Sequence, residues 1–224
     1  MTFSIVGRCA ETGQIGIAIS SSSIAVGARC PWLRAGVGAV STQNITLPAL
    51  GQETLNAMER GLEVEAALEK ALGNDSFSAY RQVTALDNQG NAAHFSGSET
   101  LGCHNAVTGI QCVGAGNMLA DQAVIATLVD TFENTKGSLG DRLIAAMQAA
   151  VAAGGEAGPV HSAALKIVDS VSWQVVDLRV DWADEDPIAV LAKLWEDYKP
   201  QMQDYITRAL DPTSAPSYGV PGDE

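Results

Sequence analysis

The sequence predicts an α+β protein, a four-layer α/β/β/α sandwich of two mainly antiparallel sheets. Three observations carry this. Short β-rich runs come in pairs joined by tight polar turns, and such hairpins imply antiparallel pairing. Helical stretches fall between the hairpins in the order ββ(β)–α–ββ(β)–αα–ββ–α, which suits outer layers laid over two facing sheets. The 224 residues, 46% apolar and 17% charged, are enough to bury a substantial core in one domain.

Each element follows from its pattern. Residues 3–8 and 15–20 are short β-rich runs, and Glu11-Thr12-Gly13-Gln14 between them makes a hairpin turn. Residues 37–42 read as a third strand. A helix follows near residues 50–72, with Leu55, Met58, Leu62, Ala66, Ala67 and Leu68 as a mixed helical stripe and Gly61 marking a break into two. Residues 80–86 and 91–96 flank Asp87-Asn88-Gln89-Gly90, whose side chains suit a tight turn. Residues 109–113 read as one more strand. Two Ala-rich helices are expected over 117–131 and 140–153, with Asn117 as the N-cap of the first. The glycines of 154–159 and Pro159 make that stretch a loop. Residues 163–168 and 173–180 form a third hairpin around Asp169-Ser170. The last helix spans 187–209: Pro187 suits its first turn, and Ile188, Leu191, Leu194, Trp195, Tyr198, Met202 and Ile206 fall close to one face. The tail 211–224, with Pro212, Pro216 and Pro221, is expected to be loose, leaving 1–210 as a single domain.

Composition excludes several functions. A net charge of −13 argues against nucleic acid and against an anionic membrane surface, both of which need clustered Lys and Arg. No apolar run approaches the ~20 residues of a membrane span, and no basic stretch precedes an apolar one as in a signal peptide. Cys9, Cys30, Cys103 and Cys112 form no Cys-x-x-Cys pair and the three histidines are scattered, so no metal is expected. Cytoplasmic thiols are the default reading; a Cys103–Cys112 bridge stays open but no secretory signal supports it. No cofactor fingerprint is present. A small-molecule substrate or ligand is the expected partner, and a homodimer is the generic expectation.

Thr2 is the first candidate for chemistry. Loss of Met1 gives Thr2 a free α-amine, whose ordinary pKa of about 7.7–8.0 suits it to take the proton of its own hydroxyl. Ser21, Ser22 and Ser23 follow the second strand, where hydroxyls or backbone N–H groups can hold a substrate or an oxyanion. Gln43 and Asn44 end the third strand. Gly116 and Asn117 follow Gly114 and Ala115 at the expected start of a helix, a setting for an anion nest. Arg34 and Arg81 stand out among only 13 basic residues as clamps for a carboxylate. Of His94, His104 and His161, His104 lies in a loop and is the better candidate for a general base. Each has a purely structural counterpart: a strand residue, a serine turn, an N-cap, an ion pair, a surface imidazole.

With Thr2 at the start, paired hairpins and this element order, the chain resembles the Ntn-hydrolase fold of proteasome β-subunits. It is similar, more closely, to the DUF1028 family. The matching stretches include Thr2-Phe3-Ser4-Ile5-Val6, Ala25-Val26-Gly27-Ala28, Pro31-Trp32, Arg34-Ala35-Gly36-Val37-Gly38-Ala39-Val40, Thr42-Gln43, Tyr80-Arg81-Gln82, Gly116-Asn117-Met118-Leu119 and Ser162-Ala163-Ala164-Leu165. The resemblance implies an Ntn-type sandwich but no established chemistry. Proteasome-type enzymes pair their threonine with an Asp and a Lys; the corresponding places fall near Ser20–Ser23 and Arg29–Arg34 and reproduce neither. Basic residues common in the family before Ser162 are replaced by Glu156-Ala157-Gly158-Pro159-Val160-His161. Two readings follow. One is an Ntn-type hydrolase of a small amide or other C–N bond with Thr2 as nucleophile. The other keeps the fold as a binding protein, or as an enzyme with an interior site of Gln43, Asn44, Arg81, His104 and Asn117.

Overall fold

The computed structural model describes residues 1–220. Strands β1 (Thr2–Arg8) and β2 (Ile15–Ser21) form the expected first hairpin. A short turn of helix, α1 (Val26–Arg29), leads into β3 (Pro31–Arg34) and β4 (Gly38–Asn44). Helices α2 (Ala49–Glu59) and α3 (Val64–Gly73) are separated at Gly61, which takes φ 89°, a conformation glycine adopts without a Cβ penalty. Then come β5 (Arg81–Asp87), β6 (Ala92–Ser96), β7 (Asn105–Gly109) and β8 (Cys112–Asn117). Helices α4 (Ala123–Asn134) and α5 (Leu139–Ala152) precede β9 (Ser162–Val168) and β10 (Gln174–Val180), and α6 (Pro187–Tyr198) and α7 (Met202–Leu210) close the chain.

One sheet has the order β10-β9-β2-β1-β8-β7 and the other β3-β4-β5-β6, with neighbours antiparallel throughout. Successive side chains on a strand face opposite ways, and β1 uses both faces. Phe3 and Ile5 pack with Leu128, Phe132 and Met147 of α4 and α5. Val6 packs with Ile17, Ile19, Ala39, Leu86 and Val113 between the sheets. Val40 and Val83 pack with Leu55 and Leu68 of α2 and α3 on the outer side of the smaller sheet. Three apolar layers between four layers of structure make the α/β/β/α sandwich that the hairpin-and-helix order predicts.

Four expectations need correction. Residues 109–113 are not one strand: Gly109 ends β7, Ile110 and Gln111 make the turn, with Gln111 at φ 60°, and Cys112 and Val113 open β8. Asn117 is not an N-cap: it ends β8, and the helix starts at Ala123, whose N–H donates to Asp121. The last helix is interrupted by a 3-10 turn at Lys199–Gln201, because Pro200 has no N–H to continue the ladder. Pro31–Arg34, outside the strands expected from sequence, is an edge strand. In the tail, Arg208 lies over the Tyr218 ring and donates to the Pro216 carbonyl. Residues 221–224 of the tail lie outside the described residues.

Candidate functional site

The space between the sheets changes character along β1. At Val6 it is apolar; at Ser4 and Thr2 it is polar. The antiparallel register sets Thr2 opposite Ser21 on β2 and Asn117 on β8, so three buried polar side chains share one end of one face. The Thr2 hydroxyl donates to the Met1 carbonyl at 2.5 Å. The Ser21 hydroxyl donates to the same oxygen at 2.5 Å and lies 3.1 Å from Thr2 Oγ1. The Ser23 N–H donates to Ser21 Oγ, fixing that hydroxyl's orientation. One carbonyl oxygen thus collects two hydroxyl donors, the arrangement that stabilises negative charge on oxygen.

A second group converges on the same place, and sequence reasoning missed it. The loop after α5 docks on the segment after β8: the Ala120 N–H donates to Gly155 O, the Ala157 N–H donates to Met118 O, and Glu156 bridges Leu119. Gly154 and Gly155 at φ 119° and 59° let the loop turn in, and Met118 itself sits at φ 50°. Glu156 is thereby only 6% exposed, and neither carboxylate oxygen has a hydrogen-bond partner. Burial pushes its pKa up from 4.5 to about 8, while the positive charge of the Met1 α-amine pulls it partly back. The Ser22 N–H and hydroxyl act in the same direction as the amine without reaching hydrogen-bond geometry.

Behind Thr2, a chain of amides ties the sheets together. Ser4 Oγ donates to Gln43 Oε1 at 2.7 Å, and Gln43 Nε2 donates to Gln82 Oε1 at 2.9 Å. Asn117 Nδ2 donates to the same Gln82 oxygen at 3.1 Å, and Gln82 Nε2 donates to Gly116 O and Ser96 Oγ. Asn117 Oδ1 alone in this chain is left without a partner.

The other expected residues are placed apart. Arg34 sits at the far end of the smaller sheet, bonded to Glu59, Gln52 and Asn56. Arg81 is buried against Asp75 at 2.7 Å and donates to Ile45 O. Asn44 donates to Tyr80 O and accepts from the Leu101 N–H. His104, half-buried, makes its contact with Gly102 O. Ser23 is exposed and accepts from Arg29, but it stays beside the site, its Oγ 2.9 Å from Ser21 Oγ. Gly116 is a packing glycine rather than part of a nest: a Cβ there falls 2.7 Å from Leu119 and 2.9 Å from Ile125. His94 is exposed on β6, and His161 stacks on Trp182 with ring centroids 4.3 Å apart. All four cysteines are free. Among the described residues, no group of three or more His, Cys, Asp or Glu is placed to hold a metal, and no helix is long and apolar enough to cross a membrane.

Comparison with known proteins adds a family. No curated protein matches this sequence. The crystal structure of protein SPO2555 from Silicibacter pomeroyi, a match to the same family as described below, has a TM-score of 0.85 at 32% identity, covering 91% of this chain and 89% of that one. Anbu, an ancestral β-subunit from Yersinia bercovieri, aligns over 91% of this chain and 97% of its own, with a TM-score of 0.39 and 10% identity, too distant to carry an argument. The family model described as a family of unknown function, DUF1028, matches residues 2–191, and the chain belongs to that family.

Proposed function

We propose that this protein is an N-terminal-nucleophile hydrolase of a small amide or related C–N bond, with Thr2 as nucleophile once Met1 has been removed. One observation carries the reading: the Thr2 and Ser21 hydroxyls converge on a single carbonyl oxygen at the polar end of the space between the sheets. A carbonyl oxygen held by the Ser21 hydroxyl within reach of the Thr2 hydroxyl is the arrangement acyl transfer requires. With Met1 gone, the Thr2 α-amine takes the hydroxyl proton as Oγ1 bonds to the substrate carbonyl carbon. The C–N bond then breaks and the departing nitrogen receives that proton. Water splits the resulting Thr2 ester, releasing a carboxylic acid and restoring the hydroxyl. Ser21 supports the oxyanion, and Asn117 Oδ1 is an open acceptor for a substrate N–H.

The rival interior site draws less support, because Gln43, Asn44 and Arg81 spend their polar groups on neighbouring protein atoms. We extend the reading to a cytoplasmic homodimer, on the free thiols and the prevalence of two-fold pairs. The test is the intact mass of untagged protein, followed by an amide screen with Thr2→Ala as control. Loss of Met1, and hydrolysis that falls by roughly 10³-fold or more in Thr2→Ala, is expected. A mass that retains Met1 removes the amine base and overturns the proposal.

A further inference from the structure

We propose that Glu156, Ser21 and the surface at Gly158 form a subsite for an α-aminoacyl group, so that the substrates are amino acid amides or peptides with a free amino terminus. This rests on the Thr2 reading above and names its substrate class. Met1 is the guide, because it is itself an α-aminoacyl group joined through an amide to Thr2. Its carbonyl oxygen accepts from Thr2 Oγ1 and Ser21 Oγ. Its side chain runs along the loop, where a Cβ on Gly158 would fall 3.1 Å from Met1 Cε. Its α-amine bears on Glu156 as a nearby positive charge. Each part of the group has a counterpart: hydroxyls for the carbonyl, a glycine surface for the side chain, a buried carboxyl for the ammonium.

The carboxyl is the decisive part. It is 6% exposed with both oxygens unpartnered, and a buried carboxylate without a partner is costly until a cation reaches it. The chain's own amine supplies charge but no hydrogen bond. A detached aminoacyl group, not tethered to β1, is free to close that gap. Departure of Met1 vacates the positions of carbonyl, side chain and ammonium together and leaves the nucleophile in place. An N-acylated substrate lacks the cation and leaves Glu156 unpaired.

The test uses protein freed of Met1 by methionine aminopeptidase, with the loss checked by intact mass. The probes are L-methioninamide and N-acetyl-L-methioninamide, which differ in the α-ammonium. Binding is measured by calorimetry in Thr2→Ala, which separates recognition from turnover. L-methioninamide is expected to bind at least about 30-fold more tightly than its acetylated form, as for other desolvated charge pairs. Glu156→Gln in the same background is expected to erase that preference. Equal binding of the two probes, no binding of L-methioninamide at millimolar concentration, or a preference that survives Glu156→Gln overturns the subsite. The two-probe comparison needs no Glu156 variant, so it decides the matter even where Glu156→Gln does not fold. Turnover is read separately with Thr2 present. Selective binding without hydrolysis upholds the subsite and removes the nucleophile; equal hydrolysis of both amides upholds the nucleophile and overturns the subsite.

Discussion

Glu156→Gln replaces a buried ionisable group by a near-isostere that cannot ionise, and its effect on stability depends on pH in a way the structure dictates. In the folded chain, burial raises the carboxyl pKa from 4.5 to about 8, against the opposing pull of the Met1 amine and Ser22. In the unfolded chain the value is ordinary. Between the two values the folded state holds the extra proton, so stability falls as pH rises: the favourable contribution is whole below about 4.5 and is lost progressively up to about 8. At about 1.36 kcal/mol for each tenfold change in proton affinity, the loss is on the order of 3 kcal/mol at pH 7 and 5 kcal/mol when complete. Urea unfolding of both proteins from pH 5 to pH 8 measures it. The general self-repulsion of a chain carrying −13 charges is common to both proteins and largely cancels in the difference. Near pH 5 the two are expected to differ by less than about 1 kcal/mol, with the glutamine variant gaining about 4 kcal/mol relative to the native chain by pH 8. A difference that stays flat over this range refutes the neutral buried carboxyl, and with it the idea that its oxygens await a cation.

Three further outcomes test the frame around the site. Gln82→Ala leaves Gln43 Nε2, Asn117 Nδ2 and Gly116 O short of a partner between the sheets; a loss of about 3 kcal/mol or more in urea unfolding is expected, at the cost of unsatisfied buried groups. Gly7→Ala pushes a Cβ to 2.5 Å from the Phe132 ring under β1; a loss of about 1–3 kcal/mol is expected, and an unchanged midpoint contradicts the packing. At Asp141, burial pushes the carboxyl up, but hydrogen bonds from Lys199, Trp195 and Ser138 outweigh it and hold the pKa at about 2. Its contribution is present above the ordinary value of 3.8 and is lost as pH falls through about 2, so Asp141→Asn should cost about 1–2 kcal/mol near pH 7, after allowance for solvent screening, and little in strong acid.

Much of the fold was legible because its strands obey simple rules. The runs at β1 and β2 are bounded by turn residues, and each is buried on both faces. What misled was local composition under tertiary control. Residues 112–117 contain two glycines, which weaken strand propensity and read as a turn into a helix. Gly114 and Gly116 belong to a strand nonetheless, because side chains of α4 and Phe3 occupy the space a Cβ would need. The strand Pro31–Arg34 has four residues and opens on proline, a pattern tolerated only at a sheet edge, where it lies. Pro200 alone marked the break before α7, and the apolar stripe running through it concealed that mark.

The site was legible only where register settles it. Thr2, Ser21 and Asn117 come together because antiparallel pairing makes them neighbours, and each could be named from sequence. Arg34 and Arg81 drew notice by scarcity, yet both are committed to neighbouring protein groups. Glu156 escaped notice because an acidic residue among small ones reads as an exposed loop; its burial comes from docking on Met118–Ala120, a contact no local pattern announces. The position of all these groups argues for use. The layer between the sheets is already held by Val6, Ile17, Ile19, Leu86 and Val113. Extending that apolar packing to the N-terminal end would stabilise the sandwich at no loss to its topology. Instead this end carries Thr2, Ser21, Asn117 and Glu156, two of them with buried oxygens lacking any partner. Unsatisfied buried groups weaken a fold; the Ser41, Thr54 and Thr84 hydroxyls lack partners elsewhere, but the Glu156 and Asn117 oxygens lie at this polar end, where a donor-bearing substrate can satisfy them.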